Sequence, residues 1–293
     1  MAAGALDHVG LCARDPVPLW AAWERMGFVL SPISPQSGRR GAEGPVEPFG
    51  TGNRCAFLRH GYLELLGILD PALFANGVDR FIDRYAGLHI LAFGIEDPGA
   101  ELARLRRGGV SLPGVVPLER PVEPGGPVAR FARLPLPDAP EGRLQLIRHL
   151  TPDLVWNPRW MGHRNGAVAV EGAILAAEDP AATTARLSRL IGLPARPDPV
   201  AGFRITLPGA AGLAGPQAPT METWLRVLPP VALPKLLPGV AAPGLPFMAG
   251  VVIRTEDAGA SARAILAGLP TREAPDGIMV PPEQAGGAAV VFA

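Results

Sequence analysis

The chain has 293 residues, 48% of them hydrophobic and 18% charged, with 27 Lys+Arg against 27 Asp+Glu and a formal net charge of zero. Balanced charge with no block of one sign excludes an electrostatic draw to nucleic acid or to an anionic membrane, and the apolar content suffices for a buried core in one large domain or two ordinary ones. No basic region followed by an apolar core opens the chain and no uninterrupted 18-residue apolar segment occurs, so the expectation is a cytoplasmic protein that acts on or binds a small molecule, as monomer or homodimer.

Cys12 and Cys55 are too few for a disulfide framework and read as free thiols. The only lysine is Lys235; with Ala, Gly and Pro abundant, the preference for arginine reads as coding bias, and no function is assigned to the arginines.

In chain order, "ALDHVGLCA" reads as a strand and Asp15-Pro16 as a helix start, because Asp caps and Pro fits the first turn. Leu19, Trp20, Trp23 and Met26 then share one helical face, and Gly27 supplies the stop. "FVLSPIS" is the expected second strand. A Gly/Pro/Ser-rich stretch, 31–49, reads as a lid or a disordered loop. "NRCAFLRHG" and "YLELLGIL" follow as two strands joined at His60-Gly61.

A linking helix, "PALFANGVDRFIDRYAG", leads to a second round: strand "LHILAFGIE", Asp97-Pro98, a helix, "ARFARLPL" and "RLQLIRHL". A third opens with "VEGAILAAEDP" and a fourth with "FMAGVVIRTED", separated by a proline-rich connector. The expected fold is α+β: four βαβββ units, 4–68, 86–150, 165–230 and 245–293, paired into an N-terminal half, 1–150, and a C-terminal half, 151–293.

This pattern resembles the vicinal oxygen chelate superfamily, which includes glyoxalase I, extradiol dioxygenases, and fosfomycin and bleomycin resistance proteins. "LDHVGLCARDP", Gly27-Phe28, "GTGNRCAFLRHGYLELLGI" and "HRNGAVAVEGAILAAEDP" carry the resemblance, and the first unit looks most like the glyoxalase-like domain group, where GT-x-N-R-x-x-x-L precedes YLELLG. The architecture covers nearly the whole chain; the motifs cover only 6–66 and 163–180. The resemblance implies paired units whose half-open, curved mixed sheets surround a divalent ion (iron, manganese, nickel or zinc), with ligands from the first and last strands of each unit. His8 and Glu64 match that pattern.

Strand alternation places His8, Gly10 and Cys12 on one face of the first strand, and Tyr62, Glu64 and Leu66 on one face of the fourth. A carboxylate in the middle of "YLELLGIL" must meet a cation, a donor network or solvent, because an unpaired buried charge costs several kcal/mol. A metal beside an imidazole satisfies it; so does water or an arginine such as Arg54 or Arg59.

For the second unit, alignment on Asp97-Pro98 sets Ile90 opposite His8, yet His89 and Gln145 keep the separation of His8 and Glu64, 56 residues. A one-residue slip decides whether His89 points inward. His8, Glu64, His89 and Gln145 are thus the candidate metal ligands and Glu64 the candidate catalytic group, with Cys12, Asn53, Arg54 and Tyr62 as weaker pocket residues. His60 and His149 read as solvent-facing, His163 as a turn residue, and Trp156 and Trp160 as a pin between halves. Gly172 and Gly250 stand at the His8 position of the later units. The two-histidine, one-glutamate iron site that two-module extradiol dioxygenases keep in the C-terminal half is missing, and no phosphate loop, dinucleotide fingerprint or Ser-His-Asp pattern stands out.

The resulting expectation is a metalloenzyme of lyase, isomerase or dioxygenase type. Its alternatives are a drug- or metabolite-binding protein of the bleomycin-resistance kind, for which 6% aromatic residues are few, and a metal-free scaffold.

Overall fold

The computed structural model describes residues 3–40, 44–123, 125–137, 139–210, 212–216 and 220–293. The βαβββ order appears four times. The first unit is β1 (Ala5–Ala13), a helix (Pro16–Arg25), β2 (Ser34–Gly38), β3 (Glu47–Phe57) and β4 (Tyr62–Ile68). The second is β5 (Gly87–Gly94), a helix (Pro98–Arg107), β6 (Val116–Pro121), β7 (Val128–Leu136) and β8 (Arg143–His149). The third is β9 (Ala167–Ala176), a helix (Pro180–Ile191), β10 (Ala195–Pro197), β11 (Phe203–Leu207) and β12 (Thr223–Leu228). The fourth is β13 (Phe247–Thr255), a helix (Ala260–Leu266), β14 (Arg272–Ala274), β15 (Gly277–Val280) and β16 (Ala289–Phe292).

In each unit the first strand runs parallel to the fourth: β1 with β4, β5 with β8, β9 with β12 and β13 with β16. The connecting helix makes that possible, since parallel neighbours need a crossover. Three of the four crossovers use one start signal. Asp15 accepts from the Val17 N–H, Asp97 from Gly99 and Ala100, and Asp179 from Ala182, each with proline next in line. The fourth lacks that proline; Asp257 bonds Ser261 instead and the helix begins at Ala260.

Antiparallel pairing of β1 with β5, and of β9 with β13, joins the units two by two. A bridge from Met248 to Leu88 then carries the open mixed sheet from one half to the other, and an isolated bridge from His60 to Ala169 joins the halves a second time. The core does not respect the halves. Trp23 sits fully buried with its indole N–H on the Ala285 carbonyl, and Asn165 Nδ2 donates to the Met26 carbonyl.

Several expected elements differ. "FVLSPIS" forms no strand, because Phe28 and Leu30 are drawn into the core, and the second strand forms at 34–38 instead. The 31–49 stretch therefore contains β2 and the start of β3; its residues 41–43 lie outside the described ones. The linking helix shortens to Asp79–Ile82. The exposed edge strands β6, β10 and β14 escape sequence reading, having too little apolar alternation. Among the described residues no helix is long and apolar enough to cross a membrane.

Candidate functional site

The concave face of the N-terminal half encloses a cavity of about 1760 Å³, lined entirely by residues between 8 and 160. Alternation along the strands decides the lining: Phe49, Asn53, Cys55 and Phe57 from β3, Tyr62 and Glu64 from β4, Phe131, Arg133 and Pro135 from β7, and Arg143, Gln145 and Ile147 from β8. His8 enters from β1 and Ile90 from β5.

His8 is held on two sides. Its ring stacks on Tyr62 with centroids 4.3 Å apart, and Nδ1 lies 2.6 Å from Asp7 Oδ1. Neighbours on a strand should face opposite ways, but the β1–β5 ladder is shifted between Leu6 and His8, and this bulge lets Asp7 and His8 meet. Asp7 is wholly buried and also bonded by His149 Nε2 at 3.0 and 3.1 Å. Burial alone would raise its carboxyl, but the charges and hydrogen bonds of His149 and His8 together hold it down at about 2. An ionised Asp7 takes the Nδ1–H of His8, which fixes the tautomer and leaves Nε2 as a lone pair 3.3 Å from the Gln145 amide.

Glu64 lies one strand away. Asn53 Nδ2 donates to its Oε1, which leaves Oε2 open to the cavity. The strand registers show which residues correspond between units. Tyr62 and Glu64 pair with His8 and Gly10 of β1, whereas Arg143 and Gln145 pair with Ile90 and Ala92 of β5. Ile90, not His89, therefore occupies the place of His8, and Gln145 that of Glu64.

That register corrects the reading of His89 as a metal ligand. Its ring is on the opposite face of β5, stacked on Tyr85 at 4.1 Å, with Nε2 donating to the Tyr85 carbonyl at 2.7 Å. Burial lowers its pKa to about 4. Arg54 also leaves the pocket, since its guanidinium is spent on Glu24 and on the Ser31 and Leu30 carbonyls. Cys12 packs with Leu66, Val78 and Ile90 under the cavity floor, and burial pushes its thiol up to about 12; Cys55 lines the cavity in its place. Asn53 and Tyr62 do line it.

His149 and His60, read as solvent-facing, are both buried. His163 is bonded through both nitrogens, to the Val29 N–H and the Phe57 carbonyl, and ties the third unit to the first. Trp156 covers Tyr62 and His149 and lies against Gly215 of the C-terminal half, while Trp160 lines the cavity. The few aromatics are concentrated here: Phe49, Phe57, Tyr62, Phe81, Phe131 and Trp160 all reach the cavity. Asp7, His149 and the lining arginines were missed, the first two because a bulge breaks the two-residue period that sequence reading assumes.

In the C-terminal half other residues take the corresponding positions. Trp224 and Arg226 pair with Gly172 and Ile174, so Trp224 stands where Tyr62 does and Arg226 where Glu64 does. The Trp224 indole fills the space above Gly172, and Arg226 is neutralised by Asp198 and Asp276 at 3.0 and 2.8 Å. In the fourth unit Gly250, Ala289 and Val291 take the positions of His8, Tyr62 and Glu64.

Among the described residues no three of His, Cys, Asp and Glu gather as a metal site. The donors that do converge are an imidazole nitrogen oriented by a carboxylate, a carboxylate oxygen oriented by an amide, and an amide able to turn its oxygen inward. This set fits a divalent ion with open positions for water or substrate.

A family model described as a glyoxalase-like domain matches residues 6–191. No curated protein matches the chain. Among solved structures, a hypothetical protein from Staphylococcus aureus is 12% identical, covering 99% of this chain and 98% of its own, with a TM-score of 0.61. A mutant of 4-hydroxymandelate synthase from Streptomyces coelicolor is 14% identical over 94% of this chain and 78% of its own, with a TM-score of 0.58. The Mn(II)-bound glyoxalase from Novosphingobium aromaticivorans is 12% identical over 99% and 82%, with a TM-score of 0.53. At such identities the likeness is one of fold.

Proposed function

The chain belongs to the glyoxalase-like domain family, within the vicinal oxygen chelate superfamily, and from that premise we propose that it is a metal-dependent enzyme moving a proton on a small carbonyl compound. The observation that carries the reading is the convergence of His8, Glu64 and Gln145 on one cavity, with Asp7 and Asn53 behind them. His8 Nε2, the Glu64 carboxylate and the Gln145 amide oxygen would hold a divalent ion, which when bound supplies Lewis-acid stabilisation of negative charge on substrate oxygens.

The protein's own groups do the rest. Asp7 keeps His8 in the tautomer that presents a lone pair. Glu64 is the acid at this end of the cavity; Glu119, the other acid among the described lining residues, is engaged by Arg130. Glu64 is therefore either a ligand or the base that takes the proton from the carbon next to the substrate carbonyl, not both at once, and Asn53 holds its carboxylate in place. Phe57, Trp156 and Trp160 exclude water from the His8 side, where a lower dielectric strengthens each of these interactions.

The test is metal content of protein purified without a metal-affinity tag, then reconstitution with manganese, nickel, zinc or ferrous iron. Near-stoichiometric metal in the wild type, lost in both His8→Ala and Glu64→Ala, is the expected result. No binding of any of the four ions by the wild type would overturn the metalloenzyme. The second reading, a small-molecule binding protein, is favoured by one observation, the apolar Ile90 in the fourth ligand position, and would then take its place.

A further inference from the structure

Among the described residues the cavity wall carries more positive than negative charge. Among the described residues six arginines line it, Arg39, Arg80, Arg84, Arg120, Arg133 and Arg143, against Glu64 and Glu119. Three are accounted for: Arg39 and Arg84 donate to backbone carbonyls, and Arg80 lies over the Phe81 ring. Glu119 is paired with Arg130.

Arg120, Arg133 and Arg143 remain. Arg143 gives one nitrogen to the Asn76 carbonyl at 2.6 Å. Arg120 and Arg133 have no hydrogen bond or ion pair among the described residues, and Arg133 Nε is buried without a partner among them. Among the described residues Glu64 is the one carboxylate near enough to attract Arg133 and Arg143. Three cations held close together, partly out of water, with one carboxylate between them are unfavourable unless something else supplies a further anion. Arg120 and Arg143 are near enough to Arg133 to repel it.

Their placement relates the three to the proposed ligands. On the β7–β8 ladder Arg133 pairs with Ile147 and Pro135 with Gln145, so Arg133 and Gln145 are diagonal neighbours on the cavity face. Between β6 and β7 the wall is apolar, with Val116, Leu118 and Phe131 exposed to the cavity. A volume of about 1760 Å³ is far more than an inorganic anion needs.

Resting on the reading of this cavity as the substrate site, we propose that its ligand is an organic acid, whose carboxylate lies on the Arg120, Arg133 and Arg143 guanidiniums and whose apolar body packs along Val116, Leu118 and Phe131. Guanidinium forks match a carboxylate in two parallel hydrogen bonds, and the carboxylate returns the partner that Arg133 Nε lacks. The acid group would be fixed beside Gln145, which sets the rest of the molecule against His8 and Glu64.

The test uses 1-naphthylacetate and the matched alcohol 2-(1-naphthyl)ethanol, titrated calorimetrically into the full chain in EDTA, so that metal takes no part. The acid should bind at least tenfold tighter than the alcohol. Arg133→Gln and Arg120→Gln should each weaken the acid at least tenfold and leave the alcohol unchanged, while Arg133→Lys recovers part of the loss. Unfolding temperature checks that the variants fold, and Arg107→Gln on the outer helix is the control. Equal affinity for acid and alcohol, indifference to the arginine variants, or no binding of either probe would overturn the proposal. Inorganic phosphate binding as tightly as the acid would overturn the apolar part. If metal fails to bind yet the acid depends on the arginines, the metalloenzyme falls and the organic-acid site stands; the converse leaves the metalloenzyme alone.

Discussion

A single buried carboxylate organises the candidate site. Asp7 accepts from both His8 and His149, and its own low proton affinity is what keeps both imidazoles in fixed tautomers. Asp7→Asn removes the charge but keeps the shape, so the expected effect is on metal affinity: a loss of roughly 10- to 100-fold, as for other groups that orient a ligand from behind, read by manganese titration with secondary structure unchanged. His89 makes a different prediction. Its folded pKa, about 4, lies below the unfolded value because burial disfavours the charged ring, so the unfolded chain binds the extra proton between the two values. Its contribution is intact above about pH 6.5 and declines as pH falls toward 4, a loss of about 3 kcal/mol. His89→Phe, stacked in the same place between Phe81 and Tyr85, should flatten that part of the stability–pH curve in urea titrations. A curve as steep as the wild type's would show that some other group titrates there.

At the level of elements, the same strand–helix–three-strand unit is built four times and used differently. The register of the first strand on the fourth sets which two residues face the concave side. In the first unit these give His8 and Glu64; in the third, Gly172 and Arg226, with Trp224 over the glycine. A methyl group at Gly172 would overlap the Trp224 ring. Gly172→Ala should therefore cost about 1–3 kcal/mol in denaturant unfolding, the usual effect of overpacking, with no effect on ligand or metal binding. Capping by Asp15, Asp97 and Asp179 was legible in the sequence because it depends on residues two or three apart. The edge strands β6, β10 and β14 were not, because pairing to a neighbour forms them and their own composition does not.

The whole molecule carries one main core, which runs from Leu6 and Trp23 in the first half to Val251 and Phe292 in the second. Leu6 N–H donates to Thr223 Oγ1, and His163 and Asn165 clamp the chain around Met26–Val29. A fragment of residues 1–150 would expose that surface. It should be unfolded or aggregated when expressed alone, whereas the full chain should unfold in one cooperative transition by circular dichroism; a soluble fragment with native-like unfolding would contradict the shared core.

Local spacing carried the repeats and the helix starts, because periodicity and capping act within a few residues and a repeated unit displays them again at each turn. Sequence spacing alone left His89 and Ile90 as rivals for the second position. Only the ladder of β5 on β8 decided between them, since a shift of one residue turns a side chain to the other face. Asp7 and His149, 142 residues apart, became partners through a bulge and a folded sheet. The arginines that looked like coding bias acquired a shared face, and a charge to be balanced, only when β6, β7 and β8 were laid side by side.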